Sequence, residues 1–256
     1  MNAFGIYDHY LFAATALLGT FAACGGLLWL AHASRFAARI SAWRGVSPPF
    51  VNVVGVLFAL TLAFLANDTW SAHDRALSAT LQEAGSLRNI LSVGAAMPEP
   101  TAAAVRGAVA AYARAVVEDE WPLLSRRQES PQAGRALEQL LAFLSSHEVA
   151  AVVDTATHGA LLQQAVQVQA QRDARLALSR THVNPLKWLG MAFLGFLTMI
   201  SIAMVYVDQL KAEIVAVGLF ALAAAPTAAI VLVQGNPFQA PTAVSAAPFL
   251  GMAALP

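Results

Sequence analysis

Three consecutive acidic residues form the densest group of side chains that could do chemistry in this chain. Glu118, Asp119 and Glu120 offer carboxylate oxygens, the ligands that a hard cation such as Ca²⁺ prefers. Successive helical residues point in different directions, so the three could converge only at a helix end, which Trp121 and Pro122 are expected to supply. They are therefore cation-binding candidates. The competing interpretation is a solvated surface on which these acids pair with basic neighbours: Arg114, Arg126 and Arg127.

Enzyme chemistry finds little support in the sequence. It contains no H-E-x-x-H, no G-x-S-x-G and no phosphate-binding glycine loop. Asp154 and His158 share a helix face at four-residue spacing, but a single such pair is more typical of a surface contact. The only cysteine, Cys24, excludes an intramolecular disulfide and a cysteine-based zinc site. We therefore expect no enzymatic activity, no cofactor and no metal site of this kind.

Side chains that could line a pore lie in and just after one apolar stretch, residues 46–66. Thr61 and Asp68 are a heptad step apart, so that Thr61, Asn67 and Asp68 fit one polar mouth. Large apolar side chains of the same stretch could form a dewetting constriction: Val53, Val56, Leu57, Leu60 and Phe64. The competing interpretation is that these residues face lipid or pack against neighbouring helices.

A proline interrupts another apolar stretch near its middle. Pro226 removes one backbone hydrogen bond and predicts a helix kink, and Thr227 could satisfy a freed carbonyl nearby. A kink of this kind can act as a gate, although it more commonly only shapes the helix.

Four long apolar stretches must position these residues. Each holds about 20 residues without Asp, Glu, Lys or Arg, which is enough for a helix to cross a bilayer: residues 10–33, 46–66, 188–207 and 214–233. The whole chain is 58% hydrophobic and only 12% charged, about half the charged fraction of a soluble domain. The sequence therefore predicts a polytopic membrane protein in contact with the lipid bilayer.

The stretches predict an all-α membrane protein in which two transmembrane hairpins flank a helical extramembrane domain. The short links between paired stretches favour hairpins within residues 1–66 and 186–234. Residues 67–185 form the helical extramembrane domain, and residues 235–256 form a C-terminal tail.

Helix signals divide the extramembrane domain into four blocks. The first, about 67–93, continues the second span and carries an apolar stripe with a seven-residue repeat: Trp70, Leu77, Ala84 and Leu91, extended by Leu81 and Leu87. The second starts with Thr101 as its N-cap and stops at Trp121 and Pro122. Ser130 caps the third, and the fourth covers about 154–181.

The basic residues of the two short links set the predicted topology. Arg35, Arg39 and Arg44 lie in the first link and Lys211 lies in the second, so the positive-inside rule places both links in the cytoplasm. The extramembrane domain then faces outward. Other basic residues near span ends favour the opposite topology, with the extramembrane domain in the cytoplasm: Arg75, Arg172, Arg175, Arg180 and Lys187. The net charge of zero gives no general attraction to nucleic acid.

Three segments and their order carry a family resemblance. Residues 54–60 read VGVLFAL, residues 111–122 read AYARAVVEDEWP, and Asn236, Pro237 and Phe238 open the C-terminal motif. With two spans, a helical middle and two further spans, they resemble the bestrophin-like domain family of bacterial membrane proteins. That family's C-terminal motif usually opens with Asp, so this chain lacks the acidic group at Asn236.

The resemblance implies a multi-pass protein of the bacterial inner membrane and a distant kinship with bestrophins, which are oligomeric anion channels. It also implies a helical domain in the cytoplasm, whereas the charges of the short links predict an outward-facing domain.

A passive pore fits the spans better than a pump does. Pumps and ion-coupled transporters need ionisable groups at mid-membrane, and these spans have none there. One protomer has too few spans to enclose a channel, so we expect a homo-oligomer, a tetramer or pentamer, with the second span near the axis. It would conduct inorganic ions, with anions favoured by the resemblance alone. The alternative is a non-conducting membrane scaffold or sensor whose helical domain binds a partner.

Overall fold

A computed structural model shows helices and no β-strand in the residues that it describes. Those residues are 8–35, 37, 39, 48–180 and 185–255. They divide into two compact units. The membrane unit comprises Met1–Trp70 and His182–Gly235, and the extramembrane unit comprises Ser71–Thr181 and Asn236–Pro256. The all-α prediction is confirmed.

Four helices carry the apolar stretches, and each is long and apolar enough to cross a membrane. They are α1 (Asp8–His32), α2 (Pro48–Gly94), α8 (Pro185–Val205) and α9 (Leu210–Val233). The prediction of four apolar helices long enough to span a membrane is thus confirmed. The pairing of the spans as hairpins stays a prediction. Some residues named above lie outside the described residues: Arg44, residues 46–47 and Thr181.

Small side chains let the helices of the membrane unit approach one another. Helix α1 packs along α9, and α8 packs against both. The ring of Phe58 on α2 lies over Gly195 of α8, where a Cβ would come within 3.0 Å of Phe58 Cε2. Phe58 also meets Phe220 of α9 at a centroid distance of 5.5 Å. The core between α2, α8 and α9 is completed by Leu65, Ala66, Met191, Ala228 and Val231.

The extramembrane unit is built from the second part of α2 and from shorter helices. These are α3 (Thr101–Ala115), a π-helical segment (Val116–Glu120), α4 (Trp121–Leu124), α5 (Pro131–Leu144), α6 (His147–Val152), α7 (Thr155–Ser179) and α10 (Ala247–Ala253). Its core is apolar and fully buried at many positions, including Leu87, Ile90, Val105, Val109, Leu140, Leu144, Leu161, Val168 and Phe249.

Several local predictions are confirmed. Helix α2 runs without a break to Gly94, as the first block requires. The Ser130 hydroxyl accepts hydrogen bonds from Gln132 N and Ala133 N, both at 3.2 Å, and so caps α5. Asp154 caps α7 in the same way, through Ala156 N at 2.9 Å. Side-chain caps satisfy backbone N–H groups that have no partner inside the helix.

Three local predictions are wrong. Thr101 is not an N-cap, because α3 is preceded by Pro100 and the Glu99 carboxylate accepts from Ala103 N at 3.0 Å instead. Trp121 and Pro122 do not end the second block, since the chain passes through the π-helical segment into α4. Proline is tolerated there because the first turn of a helix does not need its N–H.

The third error concerns the face of α2 that is buried. Trp70 and Leu77 were expected in an apolar packing stripe, but they are 56% and 42% exposed. The buried positions with a seven-residue repeat are Ala76, Glu83 and Ile90, all 0% exposed. Ala84 and Leu87 of the predicted stripe are fully buried, so the stripe was correct there. It missed the neighbouring buried row, because that row includes a charged residue.

The C-terminal residues pack within the extramembrane unit. Phe238 and Phe249 contact the ring of Trp121 at centroid distances of 5.7 and 5.8 Å. The indole N–H of Trp121 donates to the carbonyl of Val244 at 3.2 Å. Residues after the fourth span therefore belong to the core around Trp121.

Candidate pore surface and buried charge cluster

Helix α2 leaves one face uncovered within the membrane unit. All five large apolar pore candidates lie on it, with these exposed fractions: Val53 58%, Val56 57%, Leu57 48%, Leu60 50% and Phe64 67%. On the opposite side of the same helix, Leu65 and Ala66 are buried against α8 and α9. We call the exposed side the open face of α2.

Exposure alone does not distinguish a pore-lining side chain from a lipid-facing one. Helices α8 and α9 also present exposed apolar side chains, as lipid-facing helices do: Leu189 67%, Phe193 59%, Leu219 62% and Leu222 60%. What distinguishes the open face of α2 is the polar end that follows it.

That polar end contains the remaining three pore candidates. Asn67 and Asp68 are exposed, and the Asp68 carboxylate accepts a hydrogen bond from Lys187 Nζ at 2.7 Å. The Thr61 hydroxyl donates to the Leu57 carbonyl at 2.8 Å. Thr61 and Asp68 line the same open cavity of about 580 Å³ between α2 and α8. The structure thus places Thr61 and Asp68 at one cavity, whereas Asn67 is not part of its lining; the polar mouth of all three residues stays a prediction.

Further along α2, two apolar residues remain exposed in the extramembrane unit. Leu77 and Leu81 are 42% and 47% exposed, and they flank a shallow groove with Asp74, Ser78 and Gln82. Leu77 and Leu81 are four residues apart, so both lie on one side of the helix.

The three acidic residues of the cation candidate do not converge. Glu118 is exposed, Asp119 is half-buried and Glu120 is fully buried. Within the described part of the chain, no group of three His, Cys, Asp or Glu side chains could hold a metal ion. His158 binds the Leu144 carbonyl at 2.9 Å. The three carboxylates thus do not share one exposed surface, and the cation site stays a prediction.

Glu120 belongs instead to a buried charge cluster in the extramembrane unit. Its carboxylate accepts from Arg172 Nε at 3.0 and 3.2 Å, and it lies 3.9 Å from Arg175 Nη1. Arg175 also donates to Glu83 through Nε at 2.8 Å and through Nη2 at 3.1 Å. The Tyr112 hydroxyl donates to Glu83 at 2.7 Å. Two carboxylates and two guanidinium groups thus balance one another.

Four elements of the extramembrane unit contribute charged or hydrogen-bonding side chains to this cluster. Glu83 comes from α2, Tyr112 from α3, Glu120 from the π-helical segment, and Arg172 and Arg175 from α7. The Arg175 guanidinium also lies 5.0 Å from the centre of the Trp121 ring, which is a favourable cation–π distance. A fully buried charge is tolerated only with such partners.

Burial and pairing shift the pKa values of the cluster. Burial raises the pKa of Glu120, although the attraction of Arg175 and Arg172 opposes that rise. Burial and the neighbouring Glu83 carboxylate raise the pKa of Tyr112 well above its usual range. Burial by itself would lower the pKa of Arg175, but the attraction of Glu83 outweighs it and the net pKa is raised. Arg175 therefore stays charged at every accessible pH.

Sequence reasoning missed this cluster, although a signal for it exists. Leu161, Val168 and Arg175 recur every seven residues on α7, and all three are 0% exposed. Ala76, Glu83 and Ile90 form the matching row on α2. A charged residue at the same heptad position in two helices is a sign of a buried ion pair.

The remaining candidates are Pro226 and Thr227. Helix α9 continues through Pro226 to Val233. The Thr227 hydroxyl donates to the Ala223 carbonyl at 2.8 Å, next to Leu222, whose carbonyl loses its partner at Pro226. The kink stays a prediction.

Asn236 has a specific structural role. Its amide Nδ2 donates to the carbonyls of Leu124 and Ser125 at 3.3 and 3.4 Å, at the end of α4. Its Oδ1 accepts from Phe238 N at 3.0 Å. An ionised Asp could accept but not donate, so this chain uses the amide as a helix C-terminal cap.

Four apolar helices with a helical extramembrane unit define an all-α integral membrane protein. The bestrophin-like domain family matches residues 18–249, and the chain belongs to that family. None of the curated proteins matches the chain.

Solved structures share the fold at low sequence identity. A mutant of a bacterial bestrophin homologue from Klebsiella pneumoniae has a TM-score of 0.67 at 14% identity, covering 96% of each chain. A second mutant of a homologue from that organism has a TM-score of 0.67 at 13% identity, covering 99% of this chain and 97% of the other. A mutant described only as a membrane protein has a TM-score of 0.68 at 14% identity, covering 94% and 98%.

Proposed function

We propose that this protein is a homo-oligomeric ion channel in which the open face of α2 lines the conduction path. The observation that carries the proposal is the combination on one helix of an uncovered apolar row and a polar mouth. A single protomer cannot enclose a path with this face, so the proposed channel is a tetramer or pentamer around an axis. Membership of the bestrophin-like domain family supports an ion channel rather than an enzyme.

The apolar row provides the constriction of the proposed channel. Leu57, Leu60 and Phe64 lie at helical spacing on the open face. A ring of such side chains from several copies would exclude water when narrow and admit ions when widened. The exposed Leu77 and Leu81 then provide contact between copies outside the bilayer.

The conducted species is a small inorganic ion. A preference for anions is supported only by kinship with bestrophins. Glu118 and Asp119 stay cation-binding candidates at the surface of the extramembrane unit, whereas Glu120 is occupied by Arg172 and Arg175.

The proposed location is the bacterial inner membrane, with the extramembrane unit outward. This orientation rests on the basic residues of the short links: Arg35, Arg39, Arg44 and Lys211. A membrane-impermeant thiol reagent on intact cells tests it with the exposed Val166→Cys variant in a Cys24→Ala background. Labelling of intact cells supports the outward orientation, and labelling only after lysis reverses it.

Conductance of the purified protein tests the channel. The protein would be reconstituted into liposomes after mass photometry has established a tetramer or pentamer, and ion flux would be compared with that of empty liposomes. Phe64→Ala should widen the constriction and raise flux, whereas Phe193→Ala on α8, which is similarly exposed, should not. Assembled protein without flux would favour the scaffold or sensor, and monomers alone would exclude the oligomeric pore.

A further inference from the structure

The membrane unit carries one charge on each of two neighbouring helices, and these two charges meet. Asp68 is the only Asp, Glu, Lys or Arg among residues 48–70, and Lys187 is the only one among residues 185–205. The Lys187 ammonium lies 2.7 Å from the Asp68 carboxylate. The end of the open face of α2 is therefore electrically balanced by a single pair.

We propose that Asp68 and Lys187 together set the charge selectivity of the conduction path. The inference rests on the proposed channel function and names the residues that decide which ions pass. Asp68 attracts cations and repels anions, while Lys187 does the reverse, so that each offsets the field of the other.

The pair is exposed enough for ions to compete with it. The side chains of Lys187 and Asp68 are 56% and 55% exposed. An ion pair in water contributes little stability, because the solvent screens the attraction and both side chains lose freedom. A passing anion can therefore take the place of Asp68 beside Lys187, and a passing cation can take the place of Lys187 beside Asp68.

The surroundings of the pair can hold a hydrated ion. The open cavity of about 580 Å³ beside it is lined by Thr61, Phe64, Asp68, Lys187 and Gly190, among others. Thr61, seven residues before Asp68, adds a polar hydroxyl to that lining. An ion could thus keep part of its water while it contacts one member of the pair.

Single and double neutralisations test the inference. Reversal potentials would be measured in planar bilayers under a KCl gradient. Lys187→Gln should raise the permeability of K⁺ relative to Cl⁻ by about 25-fold, because one unit charge acting through water at close range changes the entry of each ion by about fivefold, in opposite directions. Asp68→Asn should lower that ratio by a similar factor, and the double variant should return to near the wild-type value.

The exposed pair Arg180–Glu129 of the extramembrane unit provides a matched control. Its members are 52% and 54% exposed and lie 2.9 Å apart. Glu129→Gln should leave the permeability ratio unchanged. If both single variants conduct with the wild-type permeability ratio, this inference is wrong but the channel proposal stands. Absence of any wild-type conductance would overturn the channel and this inference with it.

Discussion

Glu83 and Arg175 form a two-point ion pair in which neither side chain has any exposed surface. The Nε and Nη2 atoms of Arg175 donate to the two carboxylate oxygens at 2.8 and 3.1 Å. The pair joins the long helix α2 to α7, and Tyr112 of α3 donates to the same carboxylate. Removing one charge would leave the other buried without compensation.

Arg175→Ala should therefore destabilise the extramembrane unit strongly. Breaking a buried pair by removing one partner costs about 3–5 kcal/mol. Thermal unfolding of the detergent-solubilised protein should show a large fall in Tm, and Arg180→Ala provides the exposed control with an expected cost of about 1 kcal/mol or less. Equal effects of the two substitutions would contradict a buried cluster.

Acid should not destabilise the protein through Glu120. Burial raises the native pKa of this carboxyl above its ordinary 4.5, against the opposing attraction of Arg175 and Arg172. The folded state then holds the proton more tightly than the unfolded chain does. The resulting stabilisation is fully present below pH 4.5 and is lost as pH rises through the native pKa.

Comparison with Glu120→Gln isolates this contribution. The Tm of the wild type, taken relative to that of the variant, should fall as pH rises from 4.5 through the native pKa. Differential scanning fluorimetry across that range measures the difference directly. A wild type that gains stability relative to the variant with rising pH would show that the native pKa is lowered.

Asn236→Asp should weaken the end of α4. The amide donates to the Leu124 and Ser125 carbonyls, and an ionised carboxylate there would face those carbonyls without a proton. The expected cost is about 1–3 kcal/mol, because buried acceptors lose their donor. The exposed Asn67→Asp is a matched control for Tm. Unchanged stability of Asn236→Asp would indicate that the Asp carries a proton or that the cap does not form.

Two glycines of α2 should respond in opposite directions to alanine. A Cβ on Gly94 would lie 2.8 Å from Val105 Cγ1, whereas a Cβ on Gly85 would meet nothing within 4 Å. Gly94→Ala should cost about 1–3 kcal/mol through overpacking. Gly85→Ala should stabilise the helix by about 0.5–1 kcal/mol. Chemical unfolding of both variants checks the contrast, and a stabilised Gly94→Ala would contradict the close contact.

The membrane spans could be predicted from the sequence because each is one continuous stretch of apolar residues. Stretches of about 20 uncharged apolar residues leave few structural alternatives. Local caps were predicted correctly where a side chain acts on its own helix, as with Ser130. The prediction of Thr101 as an N-cap was wrong because Glu99, two positions earlier, accepts a hydrogen bond from the backbone of Ala103.

The buried charge cluster could not be predicted by hydrophobic periodicity alone. Glu83 and Arg175 occupy core positions, but a search for apolar rows assigns charged residues to the surface. Their pairing joins residues 92 positions apart in the chain, so the two helices must first be placed side by side. The acidic run of residues 118–120 is visible in the sequence, but the pairing of Glu120 depends on Arg172 and Arg175, which lie more than 50 positions away.

Accessibility of one cysteine on the open face of α2 tests the central claim most directly. Leu60→Cys would be made in a Cys24→Ala background, with Leu222→Cys on α9 as the control; the native side chains are 50% and 60% exposed. A charged, water-soluble thiol reagent reacts only where water reaches. If α2 lines the path, the reagent should block conductance through Leu60→Cys and leave Leu222→Cys unchanged. Unaltered conductance of Leu60→Cys, with block of Leu222→Cys, would contradict the account.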